Sequence, residues 1–199
     1  YGASLTGEYS FWDDSLLFRT ISGFEGNLRN VQVNWDAGPY PAGFEPVFKN
    51  SSWQLSQEFK VNWNSDSGLS LESGVTYLYE DLKTENEWPI NQIVNYTTQN
   101  YETKTQYASV YLWLDWNPID AFAISAGGRW NIEQRTMDLD TTRWQRTYFG
   151  TFIRPPADTA DAQERLDSDG PSGDITFSYM PTDDRLIFLK YARGYKAPH

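Results

Sequence analysis

The sequence predicts an all-β chain, a stretch of antiparallel, up-and-down transmembrane β-barrel wall of about eight strands. Three observations predict it. Long segments alternate apolar and polar residues with period two. Tight turns at one end of the hairpins face long polar connections at the other. The composition is rich in rings (9 Trp, 13 Tyr, 11 Phe) while mean hydropathy is −0.64, as expected of a wall with one greasy and one wet face.

The first hairpin spans about 3–26, with a turn at Trp12-Asp13-Asp14-Ser15. Its second arm alternates too weakly to assign a face. The second hairpin, about 53–83, has the clearest pattern: Trp53, Leu55, Gln57, Phe59, Val61 and Trp63 alternate with Gln54, Ser56, Glu58, Lys60 and Asn62. Asn64-Ser65-Asp66-Ser67-Gly68 has the residues of a tight reversal. Leu69, Leu71, Val75, Tyr77 and Tyr79 then oppose Ser70, Glu72, Gly74, Thr76 and Glu80, with Leu78 breaking the pattern.

The third hairpin, about 104–134, sets Ala108, Val110, Leu112, Leu114 and Trp116 on one face. It turns at Asn117-Pro118-Ile119-Asp120 and returns through Phe122, Ile124, Ala126, Gly128, Trp130 and Ile132. The fourth, about 173–197, carries Ile175, Phe177 and Tyr179, a turn at Pro181-Thr182-Asp183-Asp184, then Ile187, Leu189 and Tyr191. Strands of about 11–17 residues exceed those of soluble sheets and suffice to cross a bilayer at a tilt. Trp53, Trp63, Tyr79, Trp116 and Trp130 are expected near strand ends, in an interfacial girdle.

The connections of about 27–51, 84–102 and 134–171 have no helical pattern and read as long extracellular loops. On the best strands the proposed lipid face has no charge, because a midplane Lys or Arg costs about 2–4 kcal/mol. Glu58, Lys60, Glu72, Arg129 and Glu133 fall on the other, lumen-facing side.

Several classes are excluded or disfavoured. With 27 acids, 16 bases and a formal charge of −11, no basic cluster exists to grip nucleic acid. There is no Cys for a disulfide or thiolate metal site, and the single His, His199, leaves no Ser-His or Cys-His pair. The chain reads as no enzyme. Asp167-Ser168-Asp169-Gly170 opens like a calcium loop but lacks the later ligands, so neither metal nor cofactor is expected.

Four segments carry a family resemblance. Ser22-Gly23-Phe24 ends one strand. Ser56-Gln57-Glu58-Phe59-Lys60-Val61 resembles a Ser-Gln-Glu-Leu-Arg-Leu strand, and Ala126-Gly127-Gly128-Arg129-Trp130 an Ala-Gly-Leu-Arg-Tyr arm. Tyr191-Ala192-Arg193-Gly194-Tyr195-Lys196-Ala197-Pro198 is similar to a strand running out to Gly-(Tyr/Phe)-(Lys/Arg)-Ala-Pro. In order and spacing they resemble the barrel of TonB-dependent outer-membrane receptors of the siderophore-receptor type.

That resemblance implies a middle portion of a 22-stranded barrel in the outer membrane of a Gram-negative bacterium. An N-terminal plug and a TonB-engaging segment, both absent here, would complete it. The chain also stops at Pro198-His199 without a terminal aromatic, which is expected of such a middle portion.

The implied function is uptake of a scarce ligand such as a ferric siderophore. Partners would be the lipid bilayer, the plug and remaining strands, and the TonB complex. Trp35, Trp88, Tyr96, Arg143, Trp144 and Arg146 are the loop candidates for contact with an anionic or aromatic chelate. Two other architectures stay open: a complete eight-stranded barrel with a structural or adhesive role, and a secreted carbohydrate-binding β-sandwich.

Overall fold

The computed structural model describes residues 1–13, 15–33, 46–90, 95–146, 152–153, 159–182 and 184–196. Among them there is no helix. The elements are β1 (Gly2–Phe11), β2 (Leu16–Gln32), β3 (Val47–Asn64), β4 (Leu69–Ile90), β5 (Asn95–Ile119), β6 (Phe122–Arg146), the two-residue β7 (Phe152–Ile153), β8 (Thr159–Thr182) and β9 (Arg185–Arg193). They form one antiparallel sheet in the order β1-β2-β3-β4-β5-β6-β8-β9, with β7 paired to β6. Every long strand lies beside its neighbours in sequence, which is the up-and-down topology.

Turn chemistry fits the tight ends. Trp12 and Asp13 take positive φ (both 51°) in the β1–β2 turn. Gly68 closes the β3–β4 turn at φ 74°, where a Cβ would also meet the Asn117 carbonyl at 2.8 Å.

Apart from Pro46, no apolar side chain is buried among the described residues. Leu55, Phe59, Val75, Val110, Leu112 and Ile132 are 45–55% exposed although they lie in the middle of the sheet. A sandwich would seal these rows against a second layer, so the β-sandwich alternative is overturned. β1 and β9 each have one partner, β2 and β8 respectively, so the described strands form an open sheet and not a closed eight-stranded barrel.

Directly paired residues share a face, and successive residues alternate. Register therefore carries the clear face of β3 to every strand. Trp63, Val61 and Leu55 pair with Leu16, Phe18 and Phe24, which assigns β2 the face its own pattern leaves open. Leu78 pairs with Ser56 and Tyr107, on the polar face.

The apolar face is a band of limited height. Its upper edge runs through Leu28, Trp53, Tyr79, Ala108, Ile132 and Pro171, beyond which the same face turns polar: Ser51, Asp81, Gln106, Gln134 and Asp169. Trp53, Tyr79 and Trp130 thus lie mid-strand and not near strand ends as expected; Trp53 and Tyr79 mark the edge of the band and their rings meet at 5.1 Å.

The edge is not level in the register. Carried across the sheet through Trp130, Val110, Val75 and Phe59, Pro171 stands at the level of Thr20, whereas Leu28 stands level with Lys83 and Glu102. From Thr20 to Leu28 is about 26 Å along β2, gained over about 24 Å of sheet width, so a level band requires strands tilted by about 45°. That is the tilt of strands in a membrane barrel.

The strands also overrun the band, at one end only. β4 continues past Tyr79 to Ile90, β5 reaches back from Ala108 to Asn95, β6 continues from Ile132 to Arg146, and β8 reaches back from Pro171 to Thr159. These overruns of roughly 11–14 residues extend about 35–45 Å along the strand. On β2 and β3 they are short, Leu28 to Gln32 and Trp53 to Val47. Most of 84–102 and 134–171, read as loop from the sequence, is therefore ladder. Outside lipid both faces meet water, so neither needs to be apolar and alternation vanishes while the backbone pairing continues.

Candidate ligand-facing wall

The polar face within the band is held by cross-strand contacts. Lys60 reaches Glu72 at 2.7 Å, and Asn62 donates to the same carboxylate at 2.9 Å. Arg19 meets Glu8 at 2.6 Å; just above the band, along β6 itself, Arg135 meets Glu133 at 2.9 Å. The Tyr111 hydroxyl crosses β4 to donate to Glu58 Oε1 at 3.0 Å, and the Arg129 guanidinium lies 5.0 Å from the same ring centroid. Glu58, Lys60, Glu72, Arg129 and Glu133 all lie on this face.

Two glycines make the crossings possible. A Cβ on Gly74 would stand 2.8 Å from the Tyr111 ring, and one on Gly127 would stand 1.7 Å from Trp113 Cε3. Each ring lies on its directly paired glycine, covering backbone where no side chain could fit. Tyr107 extends the same device, donating to Asn131 Oδ1 at 2.7 Å, and Asn131 donates on to the Gly170 carbonyl at 3.2 Å.

Above the band the two faces differ in charge. From the row Leu28–Lys83–Glu102–Asp138 upward, the face continuous with the apolar band carries Glu85, Glu87, Glu102, Asp138, Asp140 and Asp161 against Lys49 and Lys83. At the same height the opposite face has Arg29 and Arg143 and no acid among the described residues. Between the band's edge and this row the opposite face still carries Glu80, Glu133 and Glu164 beside Arg135, so the sorting of charge belongs to the upper part of the projecting sheet.

The acidic side is tied by ion pairs. Lys49 sits 2.9 Å from Glu87 and 3.8 Å from Glu85; hydrogen bonding to Glu87 holds its ammonium pKa above the usual lysine value. Lys104 at 3.0 Å and Lys83 at 3.3 Å hold Glu102 below the usual carboxylate range, with the Lys104 hydrogen bond the larger cause. Gln134, and then Arg165, lower Asp167 in the same way. A groove of about 640 Å³ on this side is lined by Lys83, Glu85, Glu102, Asp138, Asp140 and Asp161, yet no three carboxylates among the described residues are placed to hold a metal ion.

The sequence-derived ligand candidates are not loop residues where they can be placed. Trp88 ends β4, Tyr96 begins β5, and Arg143, Trp144 and Arg146 end β6; Trp35 lies outside the described residues. Register puts Trp88, Thr97 and Arg143 in one row and Trp144 in the next, so Trp88 and Arg143 fall on one face and Trp144 on the other. Trp88 and Arg143 share the acid-free face.

Sequence reasoning passes over Phe48, whose ring meets the Trp88 edge at 5.2 Å and 85°, and Arg29. Both sit in a segment read as loop, where face parity is not counted. Extending the β3 alternation from Trp53 back to Phe48 would have put Phe48 on the face opposite Trp53, while its meeting with Trp88 needs the cross-strand register.

Comparison with known proteins follows the same lines. The model of the family described as "TonB dependent receptor-like, beta-barrel" matches residues 1–199. Curated protein sequences give no match. Among solved structures, the ferric yersiniabactin uptake receptor FyuA from Yersinia pestis superimposes with a TM-score of 0.79 at 18% identity, over 98% of this chain and 28% of that one. At that identity the likeness is one of fold, and this chain spans under a third of the receptor it matches. The chain belongs to the TonB-dependent receptor β-barrel family.

Proposed function

We propose that this chain is part of the wall of an outer-membrane uptake receptor for an anionic or aromatic chelate such as a ferric siderophore. The apolar band faces acyl chains, the polar face lines the lumen, and the projecting ends of β4, β5, β6 and β8 rise on the extracellular side. A plug would fill the lumen, and the TonB complex would act through that plug to release ligand inward. Ligand would be met by the acid-free upper part of the inner face of the projecting sheet, where Phe48 and Trp88 offer rings and Arg29 and Arg143 offer positive charge.

The observation that carries this reading is the charge sorting above the band. A wall meant to gather cations would turn its carboxylates inward. Here, from the row of Glu102 upward, they face outward, and the side facing a captured ligand carries Arg29 and Arg143 and no acid among the described residues. Field lines in a water-filled, low-dielectric-walled cleft concentrate anions, which raises encounter rates.

The test uses the full-length receptor in cells, offered radioactive iron on a panel of anionic and neutral aromatic ferric chelates. Energy-dependent uptake of an anionic chelate is expected, reduced about tenfold or more by combined Arg29→Glu and Arg143→Glu. Uptake confined to cationic ligands, or unchanged by the double reversal, would overturn the reading.

A further inference from the structure

The apolar band is not a smooth surface. Between β3 and β6, just inside its upper edge, lies a groove of about 350 Å³ lined by Gln57, Phe59, Val75, Tyr77, Ala108, Val110, Trp130 and Ile132. Register explains its shape. One row reads Gln57–Tyr77–Ala108–Ile132 and the next Phe59–Val75–Val110–Trp130. Ala108 and the two valines are the small members, so they make the floor, while Phe59 and Tyr77 on one side and Trp130 and Ile132 on the other make the walls.

We propose that this groove holds one acyl chain of a membrane lipid, retained by the receptor and not exchanged with the bulk bilayer. The proposal rests on the reading of the apolar band as lipid-facing and adds a specific occupant to it. Three observations select that occupant. In the row of Tyr77 and Ile132 the walls stand on β4 and β6, about 10 Å apart between strand axes. In the row of Phe59 and Trp130 they stand on β3 and β6, about 14 Å apart before the rings are counted. The narrower row admits a hydrocarbon chain but not an α-helix of about 10–12 Å. The lining is apolar apart from the Gln57 amide and the Tyr77 hydroxyl, since Thr76 and Ser109, which also border it, belong to the opposite face by register, so water has few partners there.

Polarity also rises at one end only. Gln106 and Gln134 lie one row above Ala108 and Ile132, and Lys104 and Thr136 one row further. The tail would thus lie in the groove with its headgroup among those amides. Burial of the chain against rings and branched side chains removes apolar area from contact with mobile neighbours, and packing against a fixed floor adds dispersion contacts that a fluid bilayer lacks.

The test uses the full-length receptor extracted from outer membranes, washed in detergent and examined by native mass spectrometry. Wild type is expected to keep a bound lipid, and Ala108→Trp, which fills the floor, to retain at least about tenfold less. Leu112→Trp, on the same face and strand but outside the lining, should retain it. Ala108→Leu serves as a milder filling variant, and heat-modifiable mobility reports that each variant is folded. Trp130 fluorescence, isolated by difference from Trp130→Phe, should be quenched by lipids brominated on their acyl chains even after the wash.

A wild type that keeps no lipid, filled variants that keep as much as wild type, or a copurified protein in place of lipid would each overturn the proposal. Failure of the membrane reading would look different, since the receptor would then leave the outer-membrane fraction without detergent.

Discussion

The lower half of the sheet and its projecting upper half share the same strands and one continuous ladder, yet they obey different rules. In the lower half one face must be free of charge, because lipid offers nothing to solvate it, and the other packs rings onto glycines and joins acid to base. In the upper half both faces meet water. Carboxylates then sit on the very face that was apolar a few residues below, as the step from Tyr79 to Asp81 along one face of β4 illustrates. Backbone pairing sets where the sheet extends; solvent sets what its faces may carry.

The sharpest way to break this comparison is to place one charge in each half on the same face of β5. Val110→Arg, in the band, should destabilise the bilayer-folded full-length receptor by about 2–4 kcal/mol. Asn100→Arg, in the projecting part, should fall within about 0.5 kcal/mol. Reversible denaturant unfolding from vesicles measures both, and equal costs would mean that the band does not face lipid.

A smaller effect separates the two faces within the band. Gly127→Ala must push Trp113 off its glycine and should cost about 1–3 kcal/mol, whereas a Cβ on adjacent Gly128 meets nothing within 4 Å and should be nearly neutral. The same unfolding series reads this pair. A neutral Gly127→Ala would show that Trp113 does not lie on it.

The smallest expected effect is confined to the projecting half. The pKa of Glu102 is lowered in the folded state by Lys104 and Lys83, so its ion pairing stabilises fully above the ordinary carboxylate pKa of the unfolded chain and is lost as pH falls through the lower folded value. The group is exposed, so the change should be slight. Glu102→Gln should flatten stability against pH in that acidic window and leave neutral pH almost unchanged. A steeper acid slope in the variant would reverse the sign and reject the pairing.

Period-two alternation in Trp53–Trp63 and Ala108–Trp116 by itself determined that this chain is a wall with one lipid-compatible face, because a bilayer imposes that pattern residue by residue. The same pattern placed Glu58, Lys60, Glu72, Arg129 and Glu133 opposite the apolar rows. Register, a property of paired strands, decided what no single strand carries: the face of β2, the tilt of the band, and the continuation of β5 back to Asn95 and of β6 on to Arg146.

The candidate site shows the same division. Composition brought Trp88 and Arg143 to notice, but only cross-strand pairing joined Trp88 to Phe48 and sorted the acids away from Arg29 and Arg143. In water a strand may carry any residue on either face, so there the sequence is silent and the hydrogen-bonded ladder alone fixes which side chains meet.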